Sequence, residues 1–163
     1  MKMKVAIAAD HRGFQAKQKY VPLLRQMGHE ILDFGTDTPT MCDYMDHAFP
    51  AARAVAEGKA DVGVFFDGSG IGMSIAANKV RNVRAALAHD EVTARMSREK
   101  NHCNVLCVGS DLLSDSQIRK IIQAFLGTAY GEGRHARRVQ KLCALEQQEL
   151  ANAVARGVVS AGA

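Results

Sequence analysis

The sequence lacks the features that mark membrane, metal-binding and disulfide-rich proteins. No apolar run approaches the roughly 18 residues that a membrane-spanning helix needs. The four cysteines are scattered without a C-x-x-C pair, which favours reduced thiols. The six histidines form no H-x-H or H-E-x-x-H pattern, so we expect no metal site. The apolar start from Val5 to Ala9 reaches Asp10 too soon for a signal peptide, and we therefore expect a cytoplasmic protein.

Low-complexity sequence is also absent, and the composition is that of a globular protein. Of the 163 residues, 47% are hydrophobic and 23% are charged, which excludes a disordered, collagenous or coiled-coil chain. The length suits one domain with one core. We expect a single domain over residues 1–156 and a flexible tail over residues 157–163.

The net charge of +4 is too small to indicate a nucleic-acid-binding protein, but the positive charge is uneven. Four cations stand close together with no acid between them: Arg134, Arg137, Arg138 and Lys141. Aromatic residues make up only 6% of the chain and do not interleave with this cluster, as a nucleic-acid surface would require. The cluster therefore favours a local anion site.

Apolar runs of strand length alternate with longer amphipathic segments along the chain. The pattern predicts strands at about 5–9, 30–34, 62–66, 83–88 and 104–108, and helices at about 14–27, 47–57, 73–79, 90–100, 114–130 and 137–156. Such alternation indicates a three-layer, doubly wound α/β fold with a parallel sheet of five strands. Ligands of these folds bind beyond the carboxyl ends of the strands.

A glycine-rich loop follows the third predicted strand. Gly68, Gly70 and Gly72 let the backbone approach an anion closely, and the loop also carries the carboxylate of Asp67 and the hydroxyl of Ser69. A tight turn without a ligand is the alternative. A dinucleotide site fits poorly, because the third glycine comes one residue early and the loop follows the third strand rather than the first. A Walker loop is excluded, because no Gly-Lys-Ser/Thr follows.

Several segments together identify a resemblance: residues 9–14 (ADHRGF), 43–44 (DY), 68–79 (GSGIGMSIAANK), Asn101 and 133–139 (GRHARRV). They resemble the type B ribose-5-phosphate isomerase family, which includes galactose-6-phosphate and allose-6-phosphate isomerases, and the match runs from about residue 3 to 150. The resemblance implies a flavodoxin-like, Rossmann-like fold, no metal and no cofactor. It also implies a homodimer or a pair of dimers with shared active sites, in which the C-terminal helix contacts the partner.

The resemblance also implies roles for individual residues. Asp10, His11, Tyr44 and Asn101 would contact the sugar, and Arg134 and Arg138 would reach the phosphate from the neighbouring subunit. The backbone of Gly68, Ser69, Gly70, Ile71 and Gly72 would cradle an enediolate. A solvated helix face is the alternative for the two arginines.

Three positions depart from the family pattern. Asp67 stands where the family usually has a cysteine base; a carboxylate can remove the same proton, although an auxiliary or inactive role is the alternative. Lys100 stands where the family has the histidine that opens the sugar ring, and His102 is a possible substitute. Asp111 stands where the family has a phosphate-binding arginine, which alters the local charge by two units.

These features predict an aldose–ketose isomerase that acts through an enediolate on a small sugar phosphate of the ribose-5-phosphate and ribulose-5-phosphate type. Asp111 leaves two alternatives open. Either Arg134, Arg138 and Arg137 hold the phosphate without it, or the specificity is altered and the substrate is a different sugar whose far end carries hydroxyls. The alternative function is a non-catalytic sugar-binding or partner subunit. A nucleotide-binding regulator with the same fold is a third interpretation.

Overall fold

A parallel sheet of five strands forms the middle layer of the computed structural model, which describes residues 2–158. The strands are β1 (Lys4–Ala9), β2 (Glu30–Asp33), β3 (Val62–Asp67), β4 (Ala85–Leu87) and β5 (Val105–Gly109). The helices are α1 (Phe14–Gln26), α2 (Tyr44–Ala56), α3 (Ile71–Ala77), α4 (Glu91–Asn101), α5 (Asp115–Gly127) and α6 (Arg134–Ala155). The strand order β2-β1-β3-β5-β4 confirms the predicted doubly wound fold. Most of the predicted tail, residues 159–163, lies outside the described residues.

The two faces of β1 show why the strands are apolar along their whole length. Val5 and Ile7 face a core that they share with α1, α4 and α5. Ala6 and Ala8 face a second core, which contains residues of α2 and α3. Because helices cover both faces, neither set of side chains meets water, and the strand reads as a continuous apolar run.

Three helices that carry predicted site residues begin earlier than the sequence pattern indicated. Helix α3 begins at Ile71 rather than 73, directly after Gly70, whose φ of +81° suits glycine. Helix α6 begins at Arg134 rather than 137, after Gly133 with φ +60°. Arg134 and Arg138 are therefore both helical and lie four residues apart, which places them on one face. Helix α2 likewise begins at Tyr44 rather than 47.

Helix α6 lies against α4 and is not part of either core. The amide of Gly131, just before α6, donates to the carbonyl of Glu99 at 2.9 Å. None of the residues of α6 is buried, and Leu142 and Leu145 are about half exposed. An apolar helix face left open in this way fits the predicted contact with a partner, which stays a prediction. No helix within residues 2–158 is both long and apolar enough to span a bilayer.

Gly13 marks the closest approach between the loop after β1 and strand β3. A Cβ at this position would overlap the carbonyl group of Phe66, which is backbone and cannot rotate away. We expect Gly13→Ala to lower the free energy of unfolding by about 2–3 kcal/mol in urea denaturation. Gly127→Ala is the matched control, because a Cβ there meets nothing within 4 Å. Equal stability of the two variants would contradict this close packing.

Candidate active site

The carboxyl edge of the sheet gathers one set of the predicted site residues. Asp10 and His11 follow β1, Asp67 ends β3, and Asp111 comes shortly after β5. These strands are neighbours in the order β1-β3-β5, so their carboxyl ends meet. Tyr44, at the start of α2, completes this set, which we call the carboxyl-edge set together with the glycine loop.

Asp67 is almost fully buried, with 4% of its surface exposed. One carboxylate oxygen accepts the amide N–H of Gly70, and the other accepts the amide N–H of Met73 at 3.0 Å. The carboxylate therefore caps the start of α3. Burial raises the pKa of Asp67 above its ordinary value of 3.8, the two amide hydrogen bonds oppose this shift, and the negative charge of Asp10 adds to it.

The glycine loop already uses part of its own donors. The amide of Gly70 donates to Asp67, and the amide of Ile71 donates to the hydroxyl of Ser69 at 3.1 Å. Of the five residues predicted to cradle an enediolate with their backbone, Gly70 and Ile71 thus have their amides engaged within the loop, and the cradle stays a prediction. No sequence signal reveals this contact, because Asp67 lies three residues before Gly70, the residue at the N-cap position of α3.

Tyr44 closes one side of the glycine loop. A Cβ at Gly72 would lie 3.1 Å from the ring of Tyr44 and 3.2 Å from Oδ2 of Asp67. The aromatic ring, the glycine backbone and the buried carboxylate therefore meet at one point. Any side chain at Gly72 would press on both neighbours.

The loop after β1 is fixed by Asp10 and His11. Oδ1 of Asp10 accepts the amides of Arg12 and Gly13, both at 2.9 Å. Nδ1 of His11 accepts the amide of Cys42 at 3.3 Å, so the neutral ring carries its proton on Nε2. This contact ties the loop after β1 to the segment before α2 and leaves Nε2–H as a donor.

Asp111 forms an ion pair that the sequence analysis missed. Nη2 of Arg12 lies 2.6 Å from Oδ2 of Asp111, and Nε of Arg12 donates to the same oxygen at 2.8 Å. The negative charge of Asp111 at this edge is therefore offset. Arg12 stands beside Asp10 and His11 in the chain, but no sequence signal connects it with Asp111.

The amino edge of the sheet holds the remaining predicted residues, which we call the amino-edge set. Lys100 and Asn101 end α4, which runs from the carboxyl edge to the amino edge. A groove of about 250 Å³ is lined by Lys100, Asn101 and Arg138, together with His135. Arg134 opens α6 beside this groove.

His102 lies next to this groove but is engaged elsewhere. Its Nε2 lies 2.7 Å from the carbonyl oxygen of Gly131, and its ring stacks on Tyr130 with centroids 4.5 Å apart. Of the two candidates for the ring-opening acid, Lys100 is the one that lines the groove with Asn101 and Arg138. His102 instead fixes the segment that leads into α6.

The two sets lie at opposite edges of one protomer. Strand β3 has six residues and β5 has five, which at about 3.3 Å per residue separates the edges by roughly 16–20 Å. A sugar of five or six carbons cannot reach both edges. Within residues 2–158, no group of three or more His, Cys, Asp or Glu side chains is arranged to hold a metal ion.

Comparison with known proteins identifies the family of this chain. The model of the Ribose/Galactose Isomerase family matches residues 5–142. Ribose-5-phosphate isomerase B of Escherichia coli is 39% identical over 145 residues, covering 89% of this chain and 97% of that protein.

Solved structures give the same result. The structure of ribose-5-phosphate isomerase B from Clostridium thermocellum superposes with a TM-score of 0.88 at 38% identity, covering 90% of this chain and 99% of that one. The enzyme from Mycoplasma genitalium, solved with bound ribulose-5-phosphate, gives a TM-score of 0.85 at 36% identity, covering 88% and 96%. The chain therefore belongs to the ribose/galactose isomerase family and is an aldose–ketose isomerase resembling ribose-5-phosphate isomerase B.

Proposed function

We propose that this isomerase interconverts ribose 5-phosphate and ribulose 5-phosphate, with Asp67 as the base that moves the proton. The observation that carries the proposal is the buried Asp67 carboxylate with its raised pKa, held on the glycine loop beside Tyr44. A carboxylate with a raised pKa is a better base for a proton next to a carbonyl than an exposed one. The M. genitalium relative, which binds ribulose-5-phosphate, supports the choice of substrate.

The amides that hold Asp67 also serve the intermediate. Before the reaction, the ionised carboxylate accepts the N–H groups of Gly70 and Met73. When Asp67 takes the proton from the sugar carbon, it becomes neutral and a weaker acceptor. The enediolate oxygen then carries the negative charge, which the positive end of α3 stabilises in place of the carboxylate, and Asp67 gives its proton to the neighbouring carbon. The charge at the start of α3 is unchanged throughout, so the site needs little reorganisation.

Ring opening and phosphate binding fall to the amino-edge set. Lys100 donates a proton to the ring oxygen as the bond between this oxygen and C1 breaks, and the hydroxyl on C1 loses its proton to solvent and becomes the carbonyl. Asn101 binds a sugar hydroxyl beside this position. Arg134 and Arg138 bind the phosphate, for which guanidinium groups on one helix face are well suited.

A second copy of the chain must bring the two sets together, and we propose a homodimer. Its contact surface includes exposed apolar side chains of α3, α4 and α6: Ile71, Ile75, Val92, Met96, Leu142 and Leu145. Exposed apolar residues on the adjoining helices α4 and α6, with further ones on α3, are typical of an interface. In the dimer, the carboxyl-edge set of one protomer faces the amino-edge set of its partner.

A pH profile in deuterated water tests the proposed function. We expect the enzyme to convert ribose 5-phosphate with uptake of solvent deuterium, and free ribose to react far more slowly. Because Asp67 must be ionised to act, kcat/KM should fall as the pH drops through its pKa, which burial places above 3.8. Full activity at pH 3.8 would contradict Asp67 as the base, and turnover of allose 6-phosphate alone would contradict the substrate.

A further inference from the structure

Arg12 lies at the rim of the carboxyl-edge set, and the proposed function gives it no role. Its guanidinium and the carboxylate of Asp111 lie over Gly68, the first glycine of the loop. A Cβ at Gly68 would lie 2.6 Å from Oδ2 of Asp111 and 3.6 Å from Nε of Arg12. The ion pair therefore sits directly beside the backbone that holds Asp67.

The guanidinium of Arg12 is held in place and still has donors to offer. Both of its contacts, through Nε and Nη2, go to a single oxygen of Asp111. A guanidinium carries five N–H groups, so most of them remain available. The side chain of Arg12 is 59% exposed, so these donors face solvent at the rim of the site. A charged donor whose orientation is already fixed loses little entropy when it binds an anion.

The pair borders a polar groove between α1 and the loop after β5. The groove measures about 290 Å³, and its lining includes Arg12, Ser110 and Asp111. Oγ of Ser110 is buried, and no atom within the described part of the chain forms a hydrogen bond with it. An unsatisfied hydroxyl costs free energy, which an acceptor placed in the groove would recover.

The carboxylates at this edge oppose the binding of an anion unless a cation offsets them. Asp10, Asp67 and Asp111 place three carboxylates around the glycine loop, and all three would repel a phosphate. Arg12 is the cation in contact with one of them. Without Arg12, the charge of Asp111 would face the substrate alone.

We propose that Arg12 binds the phosphate group of the sugar at this edge of the site and that Asp111 is a positioning residue for its guanidinium. The inference rests on the proposed function, since it assumes a phosphorylated sugar. Arg12 thereby sets the preference for phosphorylated over free sugars, in concert with the arginines of the partner's α6.

Binding of inorganic phosphate, followed by ³¹P NMR, tests the proposal without any turnover. We expect Arg12→Met to weaken phosphate binding about tenfold, since a charged hydrogen bond is lost. Arg25→Met removes the same charge from the exposed far end of α1 and should bind phosphate like the wild type. Loss of binding in both variants, or in neither, would overturn the proposal.

The double variant Arg12→Met/Asp111→Asn separates contact from charge neutralisation. If Arg12 contacts the phosphate, the double variant still binds inorganic phosphate weakly. If Arg12 only offsets Asp111, the double variant binds like the wild type and the proposal falls. For the positioning role, Asp111→Asn keeps an acceptor for Nε and should bind phosphate more tightly than Asp111→Ala; the reverse order would overturn that role.

Turnover gives an independent readout. Arg12→Met should raise KM for the sugar phosphate and leave kcat within about twofold, because binding of the distal group is equal in substrate and transition state. A fall in kcat with unchanged KM would overturn the proposal. The wild type could instead be inactive as an isomerase while Arg12→Met, but not Arg25→Met, binds inorganic phosphate more weakly. This result would contradict the proposed function and leave Arg12 as an anion-binding residue.

Discussion

We expect Asp67→Asn to reduce the isomerisation rate by about a thousandfold, because a side-chain base contributes roughly 10²–10⁴-fold to proton transfer. The amide has nearly the shape of the carboxylate but cannot take a proton from the sugar. The measurement is the rate of solvent deuterium incorporation into the substrate and product, which reports proton removal even when net conversion is slow. Exchange within tenfold of the wild type would contradict Asp67 as the base.

Asp67→Cys is the matched control, because Asp67 also caps α3. Both variants disturb the hydrogen bonds to Gly70 and Met73, but only Cys restores an ionisable group. Near pH 8.5, where a thiol begins to ionise, we expect Asp67→Cys to exchange deuterium at least about tenfold faster than Asp67→Asn. Equal deuterium exchange rates in the two variants would mean that the lost helix cap, and not the lost base, explains the low activity of Asp67→Asn.

The fold could be predicted because each strand is marked by a short apolar run in its own segment of the sequence. The runs from Val5 to Ala9 and from Val62 to Phe66 are apolar on both faces, which indicates strands covered by helices on both sides. The early start of α3 was not predicted, because it depends on the carboxylate of Asp67 bonding to amides three and six residues on. Apolar periodicity carries no record of such a contact.

The sequence analysis names candidate site residues but not the contacts between them. The resemblance supplied Asp67, Lys100 and Asp111 as unusual positions. The contact between Arg12 and Asp111 joins residues 99 positions apart, and nothing in a single sequence links them. By itself, the charge of Asp111 would repel a phosphate; in this pair, the carboxylate instead holds the guanidinium of Arg12.

The second large effect concerns the shared site. Asp67 lies at the carboxyl edge, whereas Arg134 and Arg138 lie on α6 at the amino edge. If each active site takes one set from each protomer, a dimer of two different inactive variants contains one site with both defects and one site with none. Activity lost in each variant alone should then return in the mixture.

Co-expression of Asp67→Asn with Arg134→Met/Arg138→Met provides this measurement. Random pairing makes half of the dimers mixed, each with one intact site, so we expect about a quarter of the wild-type isomerase activity per protein. Pairing Asp67→Asn with Arg12→Met is the control: both defects lie in the carboxyl-edge set, so this mixture should be no more active than the sum of the two variants measured separately.

Isomerase activity of the co-expressed Asp67→Asn and Arg134→Met/Arg138→Met chains is thus the most direct test of a site built from opposite edges of two protomers. At a substrate concentration well below KM, where the rate follows kcat/KM, we expect recovery to about a quarter of the wild type, with each variant nearly inactive alone. A mixture no more active than the sum of its separate components would contradict it.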